Sequence, residues 1–213
     1  MPNLYLVRHG ESAWNTLRLY TGQRDVPLSE RGQLQVQRVA EHLQRTAFEM
    51  IYSSPLRRAH DTASAIANLK QMALHDDTRL AEISHGAWEG NSVSVVREQY
   101  ADEYDAWRTQ PHTVQMPDGE SLEDVAERVG NFLQEVFARH SEGNVLIVSH
   151  DAVLRVIVLQ TLGLGLEYFW RWRFDNASCS VVEQRADGQF RLALLNDVHY
   201  LEGIISHCDA QAL

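Results

Sequence analysis

The feature that most constrains this chain is a pair of short apolar runs, each ending in a polar residue and a histidine or an arginine and a histidine. Leu4-Tyr5-Leu6-Val7 runs directly into Arg8-His9, and Val145-Leu146-Ile147-Val148 into Ser149-His150. Apolar runs this short, without polar alternation, suit strands buried on both faces, the pattern of a parallel sheet covered by helices. Helix signals fill the sequence between them. Ser29 reads as an N-cap, with Gly32, Val36, Val39, Ala40 and Leu43 on one helical face. Met50-Ile51-Tyr52-Ser53 reads as a further strand, and Pro55 as the first residue of a helix bearing Leu56, Ala59, Ala63 and Ile66. Ser121-Leu122-Glu123-Asp124 has the form of a capping box, followed by Val125, Val129, Phe132, Leu133 and Val136 at helical spacing. Another helix is expected from about Asp151. Asp187-Gly188 between two β-prone runs, residues 180–183 and 190–194, predicts a hairpin. Strands alternating with helices predict an α/β three-layer sandwich, its central sheet mostly parallel and flanked by helices, with an antiparallel edge from the C-terminal hairpin. No repeat or linker divides residues 1–213, which are expected to form one domain.

Composition narrows the function. Of 213 residues, 44% are hydrophobic and 23% charged, and no apolar run reaches the roughly 18 residues a membrane span needs. Met1-Pro2-Asn3-Leu4-Tyr5-Leu6 lacks the basic start of a signal peptide, so the cytoplasm is the expected location. The net charge of −10 argues against nucleic acid or an anionic membrane as partner. An anionic substrate would therefore need a local positive potential made by a few clustered arginines and backbone N–H groups. Cys179 and Cys208 read as ordinary thiols, and the ten histidines form no HxH or HExxH spacing, so no metal site is expected.

Arg8-His9 and Ser149-His150 both fall at carboxyl ends of expected strands, where open α/β sheets place ligands, and Arg57-Arg58 lies just past a third strand. A parallel sheet can bring all three to one edge. A neutral imidazole is a good nucleophile toward phosphorus. An adjacent guanidinium can hold phosphate oxygens and disfavour the imidazolium form.

Five segments then match one family in order. Leu6-Val7-Arg8-His9-Gly10-Glu11-Ser12-Ala13-Trp14-Asn15 resembles the signature of the histidine phosphatase superfamily, which includes cofactor-dependent phosphoglycerate mutases. Thr21-Gly22-Gln23-Arg24-Asp25-Val26-Pro27-Leu28-Ser29 and Tyr52-Ser53-Ser54-Pro55-Leu56-Arg57-Arg58-Ala59 resemble its second and third motifs. Leu80-Ala81-Glu82-Ile83-Ser84-His85-Gly86-Ala87-Trp88-Glu89-Gly90 resembles the segment carrying the proton donor, and Val148-Ser149-His150 the last motif. The resemblance implies His9 as nucleophile, Arg8, Arg58 and His150 as the phosphate pocket, and Glu82 as general acid. It implies substrate contacts from Asn15, Thr21, Gly22 and Gln23, and no metal or cofactor. Arg57 reads as a surface charge, Glu89 as a loop or packing position, and the aromatic set Tyr168, Phe169, Trp170 and Trp172 as core. Where the family often has glycine after the second histidine, this chain has Asp151, whose backbone N–H can still meet phosphate and whose side chain is expected to point away.

Further stretches, Phe174-Asp175-Asn176-Ala177-Ser178-Cys179-Ser180-Val181 and Leu195-Asn196-Asp197-Val198-His199-Tyr200-Leu201, resemble metal-independent phosphoserine phosphatases, in which residues matching His85 and the C-terminal tail around His199 contact the substrate. The compact spacing from Glu82 to His150 also resembles the phosphatase branch. The expected substrate is a small phosphorylated metabolite: phosphoserine, or a three-carbon or sugar phosphate. Phosphoglycerate mutase, α-ribazole phosphate phosphatase and a phosphate-binding regulatory protein are the alternatives. Compact relatives are commonly homodimers, though no segment here marks an interface.

Overall fold

In the computed structural model, which describes residues 1–185 and 187–206, the apolar runs become the middle of one sheet. The elements are β1 (Asn3–Arg8), α1 (Ala13–Leu17), α2 (Glu30–Leu43), β2 (Met50–Ser53), α3 (Arg57–Lys70), β3 (Leu74–Asp76), α4 (Val93–Gln99), α5 (Ala101–Thr109), α6 (Leu122–Arg139), β4 (Asn144–Ser149), α7 (Asp151–Leu162), β5 (Cys179–Gln184) and β6 (Phe190–Asp197). The strand order is β3-β2-β4-β1-β5-β6. The first four strands are parallel, and β5 and β6 run antiparallel at one side.

Period-two alternation divides the strand side chains between two cores. Leu4, Leu6, Val145 and Ile147 face α6 and α7, whose Val125, Val129, Phe132, Val153, Leu154 and Ile157 are buried with them. Val7, Ile51, Leu146 and Val148 face α2 and α3, packing on Val39, Leu43, Ala59, Ala63 and Ile66. This is the three-layer α/β arrangement expected from the sequence, with the C-terminal hairpin at the antiparallel side. β1 and β4, central and covered on both sides, are buried along nearly their whole length.

Local signals act where the residues put them. Ser29 accepts the Gly32 N–H at the start of α2, and Ser121 and Asp124 cap α6 reciprocally. One boundary differs from expectation. Pro55 stands outside α3, which begins at Arg57 with Leu56 in extended conformation, because the Ser54 hydroxyl first takes the Leu56 N–H. The next helix starts where expected, with Asp151 as the first residue of α7. His150 holds the cap position in extended backbone. Among the described residues no helix is long and apolar enough to cross a membrane. Cys179 is a buried thiol pushed up to about 12 by burial, while Cys208 lies outside the described residues.

Candidate active site

The carboxyl ends of β2, β4 and β1 lie side by side, with Ser53 paired to Val148 and Arg8 to Ser149. Arg8, His9, His150 and the Ser54–Arg58 turn therefore meet at one sheet edge. His9 is locked from both directions: its N–H donates to Ser149 O (3.0 Å), and its carbonyl accepts from Ala177 N (3.1 Å) and Asn176 Nδ2 (3.2 Å). Its ring is equally fixed. Nδ1 lies 2.7 Å from Gly10 O and must carry the proton there, since a carbonyl only accepts. Nε2 is then a bare lone pair, and it accepts from Arg58 Nε at 3.3 Å. With 3% of its surface exposed, His9 has its pKa driven well below the usual histidine range by burial first, then by Arg58 and Arg8.

The two arginines are buried and held by carbonyls. Arg8 Nη1 donates to Phe174 O at 2.6 Å. Arg58 Nη2 and Nη1 donate to Gly22 O (2.7 Å) and Arg24 O (2.9 Å), which ties α3 to the loop of residues 20–25. Burial pulls Arg58 down to about 10, still cationic at neutral pH. His150 packs its ring 5.0 Å from that of His9, places Nε2 2.8 Å from Ser54 Oγ, and is kept neutral by burial and by Arg58. Glu82 accepts the Ile83 N–H (2.9 Å), and its carboxyl is pushed up to about 7, by burial and then by Asp151, against the opposing pull of Ile83 N–H, Arg58 and Arg8. Such a group holds a proton for part of the time near neutral pH. Its backbone carbonyl is gripped by Gln23 Nε2 and Arg128 Nη2.

Arg8, His9, Asn15, Thr21, Gly22, Arg58, Glu82 and His85 line one small cavity. Asn15 gives its side-chain oxygen to Ser12 and Asn176, leaving the amide nitrogen as its donor for an anion. Gln23 is turned to Glu82 O and Glu120 and does not line the cavity. Asp151 does not line it either: its Oδ2 takes Arg155 Nε at 2.6 Å, and the side chain borders a neighbouring space. His199 is brought elsewhere. It is an exposed ring bonded to Asp197 (2.7 Å) and edge-on to His42 and Tyr200.

Several contributors carried no distinguishing signal in the sequence. Glu89 is a half-buried clamp whose carboxylate accepts the N–H groups of Gln23 (3.0 Å) and His85 (3.2 Å) and pairs with Arg24 (3.2 Å). Phe169 and Trp170, grouped by sequence with the core, border the space beside Glu82 and His85, as does Trp107. Arg57 is an exposed charge beside Asp61.

A histidine with a bare nitrogen, two buried guanidiniums and a proton-holding carboxyl form the equipment of an enzyme that works on phosphate esters. Residues 4–198 match the histidine phosphatase superfamily (branch 1). Phosphoserine phosphatase 1 of Hydrogenobacter thermophilus (strain DSM 6534 / IAM 12695 / TK-6) is 43% identical over 182 residues, covering 85% of this chain and 86% of that one. A protein of Salmonella arizonae named probable phosphoglycerate mutase GpmB is 33% identical over 217 residues, covering 100% of this chain and 98% of that one. The solved structure of Bacillus stearothermophilus YhfR superposes with a TM-score of 0.87 at 31% identity, covering 94% of this chain and 100% of that one. The chain belongs to the histidine phosphatase superfamily and is a phosphatase enzyme of that family. Because the mutase-named relative is matched almost end to end, overall length does not separate this chain from it.

Proposed function

We propose that the chain hydrolyses small phosphomonoesters without a metal, through a phosphohistidine on His9. The observation that carries this reading is the ring of His9: Nδ1 is committed to Gly10 O, so Nε2 keeps its lone pair beside the Arg58 guanidinium. The ester's phosphate would sit among Arg8, Arg58, Asn15 and His150, and the Arg58 Nε–H would move from Nε2 to a phosphate oxygen. Nε2 attacks phosphorus, the P–O ester bond breaks, and the departing oxygen takes the proton of Glu82. Glu82, now a carboxylate, accepts a proton from water as that water attacks phosphorus. The P–N bond breaks, releasing inorganic phosphate and neutral His9. The arginines and the neutral histidines supply the charge and donors that a metal provides in other phosphoryl-transfer enzymes.

The relative named phosphoserine phosphatase and the small cavity favour phosphoserine or a three-carbon phosphate as substrate. The test is phosphate release from a panel of amino-acid, sugar and nucleoside phosphates in the presence of EDTA, with a labelled ester to trap phosphoryl-His9. Loss of activity with EDTA, or turnover surviving His9→Ala, would refute the mechanism. The mutase-named relative favours a second reading, transfer between the two hydroxyls of phosphoglycerate. Isomerisation faster than phosphate release would establish that reading.

A further inference from the structure

Beside the phosphate cavity lies a second, narrow space, bordered by Trp107, Asp151, Ala152, Phe169 and Trp170 and sharing Glu82 and His85 with the first. If Glu82 protonates the leaving oxygen, as proposed above, the rest of the leaving alcohol extends into a space that Glu82 borders. Its walls include the rings of Trp107, Phe169 and Trp170, yet among the described residues two buried polar atoms of its lining have no hydrogen-bond partner: Asp151 Oδ1 and His85 Nδ1. Asp151 and His85 are 2% and 5% exposed. Among the described residues no protein group meets Oδ1, since the nearby Arg155 pairs through the other carboxylate oxygen. Arg155 gives Nε to Asp151 Oδ2 at 2.6 Å and Nη1 to the carbonyls of Phe169 and Trp172, and lies over the rings of Phe169 (5.2 Å) and Trp170 (4.9 Å). Ion pairing holds the carboxylate in place with one oxygen left over, a pure acceptor beside aromatic walls. Buried acceptors left unmet are rare in folded proteins and call for a donor.

We infer that Asp151 is a specificity-determining residue, its Oδ1 accepting a hydrogen bond from an amino or hydroxyl group on the leaving alcohol. The preferred esters are then those of short polar alcohols, aminoalkyl or hydroxyalkyl phosphates, with the carbon chain against Trp107 and Phe169. A site built to meet a donor discriminates strongly against an analogue lacking it, since its own polar atom is then left unmet. This inference rests on the phosphatase reading.

The test compares kcat/KM for phosphoethanolamine, glycerol phosphate and n-propyl phosphate in the wild-type protein and in Asp151→Asn. The asparagine oxygen is expected to keep Arg155 Nε, placing the amide nitrogen, a donor, where Oδ1 stood. The expected result is a preference of tenfold or more for at least one of the two polar esters over propyl phosphate, falling to within threefold in Asp151→Asn. Whichever polar ester carries the preference identifies the donor as amino or hydroxyl. Any general effect of Asp151 on Glu82 changes all three esters together and leaves their ratios intact. Equal use of propyl phosphate by the wild type, or a parallel fall of all three esters in the variant, would overturn the inference while leaving the phosphatase reading standing. No turnover of any ester would overturn both. Should circular dichroism show the variant unfolded, the wild-type ratio decides alone.

Discussion

A histidine in water spends its time shared between two tautomers and, near neutral pH, a protonated form, and only a bare ring nitrogen can attack phosphorus. Here three choices are made in advance: Gly10 O selects the tautomer, burial removes the charge, and Arg58 marks the nitrogen to be used. His9→Ala removes the atom that bonds to phosphorus, so turnover is expected to fall at least ~10³-fold and labelled phosphoryl transfer to the protein to vanish. Glu82 gives a second test. Its carboxyl titrates near 7, and the protonated form is the proton donor, so turnover of alkyl phosphates is expected to fall as pH rises through that value. In Glu82→Gln that descending limb should disappear along with about 10²–10⁴ of the rate, whereas the first-turnover release of p-nitrophenolate from p-nitrophenyl phosphate, which needs no proton, should lose far less. Rate-against-pH profiles for both esters check this. Arg8, His9 and Glu82 were legible as a motif, but Glu89 was not. Its work is done through two backbone N–H groups and one exposed arginine, contacts that only the folded loops create.

The elements explain why these side chains meet. Apolar runs short enough to be strands, separated by helices, dictate parallel pairing, and parallel pairing puts every strand's carboxyl end on one edge. That much could be read from residues 4–9, 50–58 and 145–150. The sequence did not disclose that β4 lies between β2 and β1, nor the three-residue β3, nor where the tail turns. His199 was placed near the pocket by resemblance, but pairing with Asp197 and packing against His42 hold it elsewhere. The loop of residues 20–25 shows how tightly the elements interlock. Gly22 has φ of 49°, and a Cβ there would stand 2.1 Å from Glu89 Oε1, in the clamp that joins this loop to the His85 segment, while Gly22 O holds Arg58. Gly22→Ala combines backbone strain with displacement of that carboxylate, for an expected loss of ~1–3 kcal/mol. Because the loop also positions Arg58, KM for phosphate esters should rise at least severalfold. Thermal melting and steady-state kinetics measure the two effects, and a variant with wild-type KM would show that the loop does not set the position of Arg58.

At the scale of the whole molecule, the active-site ionisable groups are kept in forms that water would not favour, and this links stability to pH. His9, His85 and His150 are buried neutral, His85 with its pKa brought down to about 3 by burial and by Arg58, and the other two well below the ordinary range. A histidine depressed in the folded state binds fewer protons than in the unfolded chain, so its contribution is full above the unfolded value of 6.5 and is lost as pH falls below it. Glu82 works in the opposite sense. Raised from 4.5 to about 7, it binds more protons when folded, favouring the native state at acid pH and giving up that advantage as pH rises from 4.5 to 7. Between pH 5 and 6, unfolding lets the three depressed histidines take up protons and Glu82 release one, so uptake prevails by linkage. The unfolding free energy from urea titrations is therefore expected to rise with pH between 5 and 6. In Glu82→Gln the opposing proton is absent, and the slope should steepen. In His9→Ala, where one histidine is gone, it should flatten. A flat profile across this range, or no change of slope in either variant, would mean that these groups do not stay in their unfavoured forms in the folded protein. The poised nucleophile and proton donor described for the active site would then be lost along with the stability argument.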